Sequence, residues 1–482
     1  MPINKYIAII KQEMATLLIK AWELIQNIYY LNTRHSKAIY FDIKIPIRHY
    51  ICLILFLLII LCINLYNKYQ IFQELKDGRT FEARIINHYS KPKSKSKIKT
   101  SSETFRFQDN FGNTYYGIYR GKFKNLKGMK AIVYGKIYNC SFWQFLKSCK
   151  IYHSSFNILP EKQIKSSLTK FIQSQHKNPL IANLYNTLFF AETLDSSVRQ
   201  AAIALGISHL IAISGLHLSA LLGIFLLFIT PIYFCLHRYF CYRNAMYDLG
   251  LLGLIFSFIY LWLIDFQPSF LRAFIMFCIG FFMMFNGIKI LNMMNLFLCV
   301  ILAIALNPNL IFNIGFILSI SGVFYIFLFI KYFIKSQRYS TTKSLDNSNK
   351  ELNSLKLLKL FFKLILFMLI IFLQMIPITH IFFPYFSPMQ LISIPLGIIF
   401  PLVFPLLIFM HITGFGDIFD FIIEQTMTHE FLLSQVTTPI WLITSYIILS
   451  LFAIYNKLAY FASLIMAISF YIYNIIIYLL KL

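Results

Sequence analysis

Long apolar runs dominate the chain, and the first is Tyr50–Tyr66 (YICLILFLLIILCINLY). A run of this length without charge predicts a membrane-crossing helix, because in hydrocarbon the backbone must satisfy its own hydrogen bonds. From Ile207 onward such runs follow one another closely, near 207–234, 246–264, 269–286, 290–306, 310–333, 357–376, 439–456 and 458–480. Between 378 and 412 the pattern is interrupted by Pro384, Pro388, Pro395, Pro401 and Pro405, which predicts a segment that is re-entrant or crosses twice. The expected fold is therefore a polytopic α-helical membrane protein with about nine to eleven transmembrane or re-entrant helices.

Residues 70–160 follow a different rhythm. Apolar and polar positions alternate in Phe81–Ile85 and Phe105–Phe107, and three more short runs follow at Tyr115–Tyr119, Ala131–Gly135 and Cys149–Tyr152. Asp109-Asn110-Phe111-Gly112-Asn113 supplies a turn between the second and third. About five short strands with glycine turns predict a small β-barrel of the oligonucleotide-binding type.

Composition narrows the class. Only 13% of the residues are charged, against about 25% in soluble domains, which excludes an ordinary soluble protein. The formal net charge is +25, and Lys68–Lys170 holds 21 Lys/Arg against 6 Asp/Glu, a net of +15. So concentrated a positive field attracts polyanions or anionic lipid head groups. Seven Lys/Arg precede the first run, which sets the N-terminus in the cytoplasm and the barrel outside. The stretch Lys91–Lys99 contributes Lys93, Lys95, Lys97 and Lys99 as a basic loop, and Arg106, Tyr115 and Arg120 interleave cations with aromatics. Single-stranded nucleic acid requires both, cations for its phosphates and π faces for its bases; the aromatics equally suit the barrel's own core. Cys140 and Cys149 are the two cysteines in the polar domain, and in an oxidising compartment they are placed to close a short disulfide loop.

The most specific stretch is Ala204–Gly223, ALGISHLIAISGLHLSALLG. Read as one helix, it lines up Ser208, Ala212, Gly215 and Ser219 on a face suited to close helix contact. Ser214 and His217 share another face, with His209 about 80° away at about 100° per residue. Polar residues at this depth mark a functional region, whether as packing groups, as the lining of a wet path or as a Ser–His nucleophile pair. Arg272 follows Pro268 at the start of a span, where it can pair with Asp265 or meet a phosphate.

HLIAISGLH closely resembles the signature of the ComEC competence proteins. The order of further segments agrees: Pro268-Ser269 with Leu271–Met276, then Asn307-Pro308 with Gly315-Phe316-Ile317-Leu318-Ser319, then Ile392–Leu396 with Pro395. The resemblance covers roughly residues 160–412, and the preceding basic barrel matches that family's exported domain in position and type. It implies an inner-membrane channel that carries single-stranded transforming DNA into the bacterial cytoplasm. The path or channel core would involve His209, Ser214, Gly215, His217, Arg272, Gly315, Ser319 and Pro395. The expected partners are single-stranded DNA, membrane lipids, a DNA receptor, a cytoplasmic ATPase or single-strand-binding proteins, and possible further copies of the chain.

The chain departs from many members of that family in one respect. The H-x-H-x-D-H start of a metallo-β-lactamase-like domain is absent, as is a P-loop, so no nuclease or ATPase activity and no cofactor is expected here, and strand degradation falls to a separate nuclease. A membrane-embedded hydrolase or transferase using Ser214 and His217 on a lipid-linked substrate is the competing class, and a lipid-binding structural protein the third. The expected division is a cytoplasmic basic segment over 1–49, a first span over 50–66, the barrel over 67–165, and an amphipathic connector over 166–206. The channel core then covers 207–412, and an acidic loop with C-terminal helices covers 413–482.

Overall fold

The computed structural model describes residues 47–90, 102–109, 111–121, 126, 128–159, 164–237, 245–285, 293–334, 353–427 and 433–480. Helix α1, Ile47–Asp77, is longer than the apolar run that predicts it. Its last turns continue into the polar domain, where Phe72 and Leu75 are buried in the barrel core with Phe105, Phe107, Val133 and Phe145.

The barrel has the five predicted strands: β1 Arg79–Ser90, β2 Ser102–Asp109, β3 Thr114–Arg120, β4 Lys130–Ile137 and β5 Cys149–Leu159. They close in the order β1-β2-β3-β5-β4, with β3 and β5 parallel and the other pairs antiparallel. Alternation along β4 sends Ala131, Val133 and Ile137 inward and leaves Ile132 outside, as the period of a strand requires. A short helix α2, Phe142–Lys147, is started by a reciprocal cap between Ser141 and Gln144. The disulfide Cys140–Cys149 brackets it.

A three-helix connector follows: α3 Ile164–Gln173, α4 Pro179–Phe190 and α5 Ser196–Ala204. In this connector nine of the twelve residues of α4 are buried. Beyond it come α6 Ser208–Ile211, α7 Gly215–His237, α8 Ala245–Leu263, α9 Pro268–Phe285 and α10 Met293–Leu306. The 3-10 turn Pro308–Phe312 leads into α11 Ile314–Phe329 and α12 Asn353–Phe382. A two-residue strand pair joins β6 Tyr385–Phe386 to β7 Ser434–Gln435. Between them lie α13 Ser393–Ile412 and α14 Asp420–Met427, and the chain ends in α15 Ile440–Phe452 and α16 Lys457–Leu480.

Among the described residues seven helices are long and apolar enough to cross a membrane, and three shorter apolar helices accompany them. Only 11% to 28% of each crossing window is buried in the protein, so the remaining surface is left for hydrocarbon. This is a polytopic helical membrane protein carrying a five-stranded barrel near its N-terminus.

Two expectations change. The proline-rich segment is divided: 378–382 close α12, Pro384 and Pro388 flank the two-residue strand β6, and from Ser393 the single helix α13 runs through Pro395, Pro401 and Pro405, long enough to cross once. Each proline removes one N–H, which neighbouring packing in a membrane bundle tolerates. The 207–234 span is instead divided, with α6 ending at Ile211 and α7 starting at Gly215. The face proposed for Ser208, Ala212, Gly215 and Ser219 therefore does not exist, because the helix breaks inside it.

Candidate functional site

The barrel is fastened to the bundle at its β2–β3 turn. Asp109 is buried and accepts from the backbone N–H groups of Phe111 and Asn113, from Asn113 Nδ2 and from the Tyr115 hydroxyl at 2.8–2.9 Å. This fixes the turn that the sequence predicts. Lys68 of α1 then donates to the Phe111 carbonyl at 3.0 Å and to Asn113 Oδ1 at 2.9 Å. Asn309 Nδ2, from the Asn307-Pro308 motif, donates to Gly112 O at 3.1 Å and to the same Asn113 Oδ1 at 2.9 Å. Beside it Asn64 Nδ2 donates to Ala305 O at 2.6 Å, and α2 packs on the Pro308–Phe312 turn.

A second fastening lies opposite. Asp265, in the left-handed backbone region at the corner between α8 and α9, is ion-paired with Arg84 of β1 and, at 2.7 Å, with Lys165 of α3. Lys165 also approaches Glu192 at 3.6 Å. Between the two fastenings opens a cleft of about 2130 Å³, lined by the barrel, α3, the 265–271 corner and residues 306–315. Among the described residues its wall carries seven basic side chains, Lys68, Arg84, Arg106, Lys130, Lys147, Lys165 and Lys170, against four acidic ones, Glu82, Asp109, Glu192 and Asp265. Phe111 and Phe266 also line it and are 60% and 46% exposed. Exposed aromatics in a basic cleft provide stacking faces beside cations.

Ser269 and Gly315 line the bundle side of the cleft, and the motifs behind them converge. Arg272 is 5% exposed; its Nε donates to Ser319 Oγ at 2.7 Å and its Nη1 meets Met276 Sδ at 3.2 Å. Gly215 lies against the same guanidinium, for a Cβ there would sit 3.5 Å from Arg272 Nη2. Segments near 215, 272 and 319 thus share one arginine. Asp265 does not pair with it, being held by Arg84 and Lys165.

Ser214 and His217 meet as predicted, in a geometry that defines their work. His217 Nδ1 accepts from the Ser214 backbone N–H at 3.2 Å and lies 3.4 Å from Ser214 Oγ, which accepts from Leu216 N at 3.3 Å. This is a reciprocal cap on the first turn of α7, with histidine in the place usually held by glutamate. The imidazole is buried edge-on against Phe400 and Phe404 of α13, and Nε2 has no hydrogen-bond partner among the described residues. His209 and Pro395 are exposed and stand apart from this cluster. Gly206, at φ +69°, lets the chain touch Gln390, whose backbone oxygen would be 2.8 Å from any Cβ, and Gln390 Nε2 donates to Ile203 O at 3.3 Å.

The capture residues divide. Arg106 lies over the Tyr116 ring at 5.6 Å and lines the cleft. Tyr115 is wholly buried in the barrel core, so its ring is a packing group and not a stacking surface; burial, with Asp109 beside it, holds its hydroxyl well above the usual tyrosine range. Arg120 ends β3. Lys93, Lys95, Lys97 and Lys99 lie outside the described residues. Reading the sequence missed Asp265 as the hub joining barrel to bundle, although a single acid at the end of an apolar run was its signal. Phe111 and Phe266 gave none.

The sequence model described as Competence protein matches residues 188–480. The chain belongs to the competence protein family. The matched region contains the Gly215–Arg272–Ser319 convergence. The chain is also similar to a Mycoplasma pneumoniae protein named "Uncharacterized protein MG316 homolog", 29% identical over 197 residues, which are 38% of this chain and 49% of that protein. The chain thus spans about half the length of this curated relative. No solved structure matches the chain.

Proposed function

We propose that the protein conducts single-stranded DNA across the bacterial inner membrane, with the barrel on the outer side and the cleft as the entrance. The observation that carries this reading is the cleft itself, a basic, aromatic-bearing space of about 2130 Å³ bordered by Ser269 and Gly315, next to the site where the family's motifs meet. A DNA strand cannot dissolve in hydrocarbon, so it needs a protein-lined wet path with capture charges at the mouth.

Barrel architecture supports the same reading. Five strands closed in the order β1-β2-β3-β5-β4 fit the oligonucleotide-binding type, in which the β1–β2 loop is one of the binding loops. Here that loop contains Lys93, Lys95, Lys97 and Lys99. A bonded Cys140–Cys149 pair suits an oxidising outer compartment. Against the hydrolase alternative, Ser214 Oγ and His217 Nδ1, 3.4 Å apart, also cap α7, and among the described residues no acid orients His217 Nε2. We assign strand degradation and the driving ATPase to other proteins, with a DNA receptor delivering the strand.

Uptake of labelled DNA tests the proposal directly, comparing cells with and without the gene. DNA reaching the outer compartment in both, but the cytoplasm only with the gene, is the expected result. Unchanged cytoplasmic entry would reject the channel.

A further inference from the structure

The corner where the connector meets α13 and α14 contains a cluster that the DNA path does not use. His176, in the loop between α3 and α4, has its side chain fully buried and lies flat against the Tyr185 ring, 4.7 Å away. Its Nδ1 is 2.9 Å from the Asp420 carboxylate and its Nε2 is 3.1 Å from His411 Nε2. His411 Nδ1 in turn is 2.7 Å from the Leu407 carbonyl. Gln175 braces the corner, donating to His411 O at 2.9 Å and accepting from Gly416 N at 3.2 Å. A Cβ on Gly416 would collide with Gln175 Oε1 and the His411 ring.

The links in this cluster outnumber the protons its groups bring. A carbonyl oxygen and an ionised carboxylate only accept, and each imidazole nitrogen either donates or accepts. The Leu407–His411, His411–His176 and His176–Asp420 links therefore need one proton each. Two neutral imidazoles and a carboxylate bring one proton fewer than those links require. With one fewer, two lone pairs face each other across one of the buried links.

We propose that His176, His411 and Asp420 form a binding site for a single proton, which latches the connector to the α13–α14 corner while it is bound. The extra proton makes the cluster neutral overall, with one imidazolium beside one carboxylate. Other groups nearby do not replace it. Tyr185 of α4 stacks on the rings, Glu424 of α14 takes Asn178 Nδ2 at 2.7 Å, and Arg199 of α5 donates to Leu194 O at 3.0 Å. The latch has reach: Gln173, three residues before His176, lines the cleft, and α13 supplies Phe400 and Phe404 against His217. Release of the proton removes one link and loosens a wall of the cleft from the helix that packs on His217.

Imidazole nitrogen NMR on the full chain, labelled at histidine and held in lipid nanodiscs without DNA, tests this apart from any transport role. The expected result near neutral pH is a proton-sharing signature on His176 and His411, identified by its loss in His176→Gln, and a thermal midpoint that drops on the alkaline side. Asp420→Asn is the decisive variant. An amide donates to Nδ1 and completes all three links without the extra proton, so both rings become neutral and the alkaline drop disappears. Should that variant not fold, His411→Gln serves, since glutamine donates to Leu407 and accepts from His176; His176 then keeps its shared-proton signature. Two neutral rings in the unaltered chain between about pH 6 and 8, or an alkaline drop unchanged in Asp420→Asn, would overturn the proposal. So would a neutral His176 in His411→Gln, or a co-purifying metal ion on the two Nε2 atoms.

Discussion

Arg272 Nε donates to Ser319 Oγ at 2.7 Å, joining α9 to α11 across 47 residues of sequence at the edge of the candidate entrance. A buried guanidinium with a hydroxyl partner is costly to orphan. Ser319→Ala is expected to destabilise the bundle by about 1.5–3 kcal/mol, the usual contribution of a hydrogen bond to a charged group. Thermal unfolding in detergent measures it. A midpoint equal to that of the unaltered protein would mean that water replaces the hydroxyl.

Asp265 ties two cations from separate elements, Arg84 and Lys165, to one corner of the bundle. The groups are partly exposed, so their contribution to stability is about 1 kcal/mol or less and screened by salt. Position, more than stability, is what Asp265→Asn should disturb. Spin labels on β4 and α9 are expected to give a broader distance distribution in this variant, more so at low salt, where the native pairs are strongest. An unchanged distribution would leave the Asn309–Asn113 fastening as sufficient.

Gly206→Ala introduces a Cβ at φ +69° and directs it at the Gln390 carbonyl. Backbone strain of this kind costs on the order of 1–3 kcal/mol before the clash is counted. A marked loss of folded protein in the membrane fraction is expected, whereas Gly322→Ala, which meets nothing within 4 Å, should be tolerated.

Arg106, Lys130 and Lys170 face the same cleft from three elements. Replacing all three with Gln is expected to weaken binding of single-stranded oligonucleotides and to flatten its salt dependence by about 0.7 in the log–log slope for each lost phosphate contact. The Lys93, Lys95, Lys97 and Lys99 to Gln variant should act in the same direction. Fluorescence anisotropy over a salt series reads both, and a slope that does not change would remove these cations from the entrance.

Legibility differed by distance along the chain. The barrel was readable because period-two alternation, as in Ala131, Val133 and Ile137, is a local consequence of strand geometry. The β2–β3 turn was readable from Asp109 to Asn113 for the same reason. Apolar length announced the spans, but not the break after Ile211, since Ala212 and Ile213 are as apolar as their neighbours. Pro401 and Pro405 suggested a broken segment because a proline's missing N–H is visible in sequence while the packing that tolerates it is not. Tyr115 alternates correctly for a core strand residue, and its polar hydroxyl hid that until Asp109 was seen to receive it. His176 and His411 are 235 residues apart, and no local pattern links them.

Helix α1 passes from its membrane span into the barrel core without a break, 31 residues in all. At about 1.5 Å per residue it is a strut of roughly 46 Å, rooted at one end beside α10 and at the other under Phe145. The barrel is therefore mounted on a stiff mast and does not hang on a slack tether. Any tilt of the barrel must be a tilt of the strut, so a force applied to the barrel is delivered mechanically to the helices at its foot.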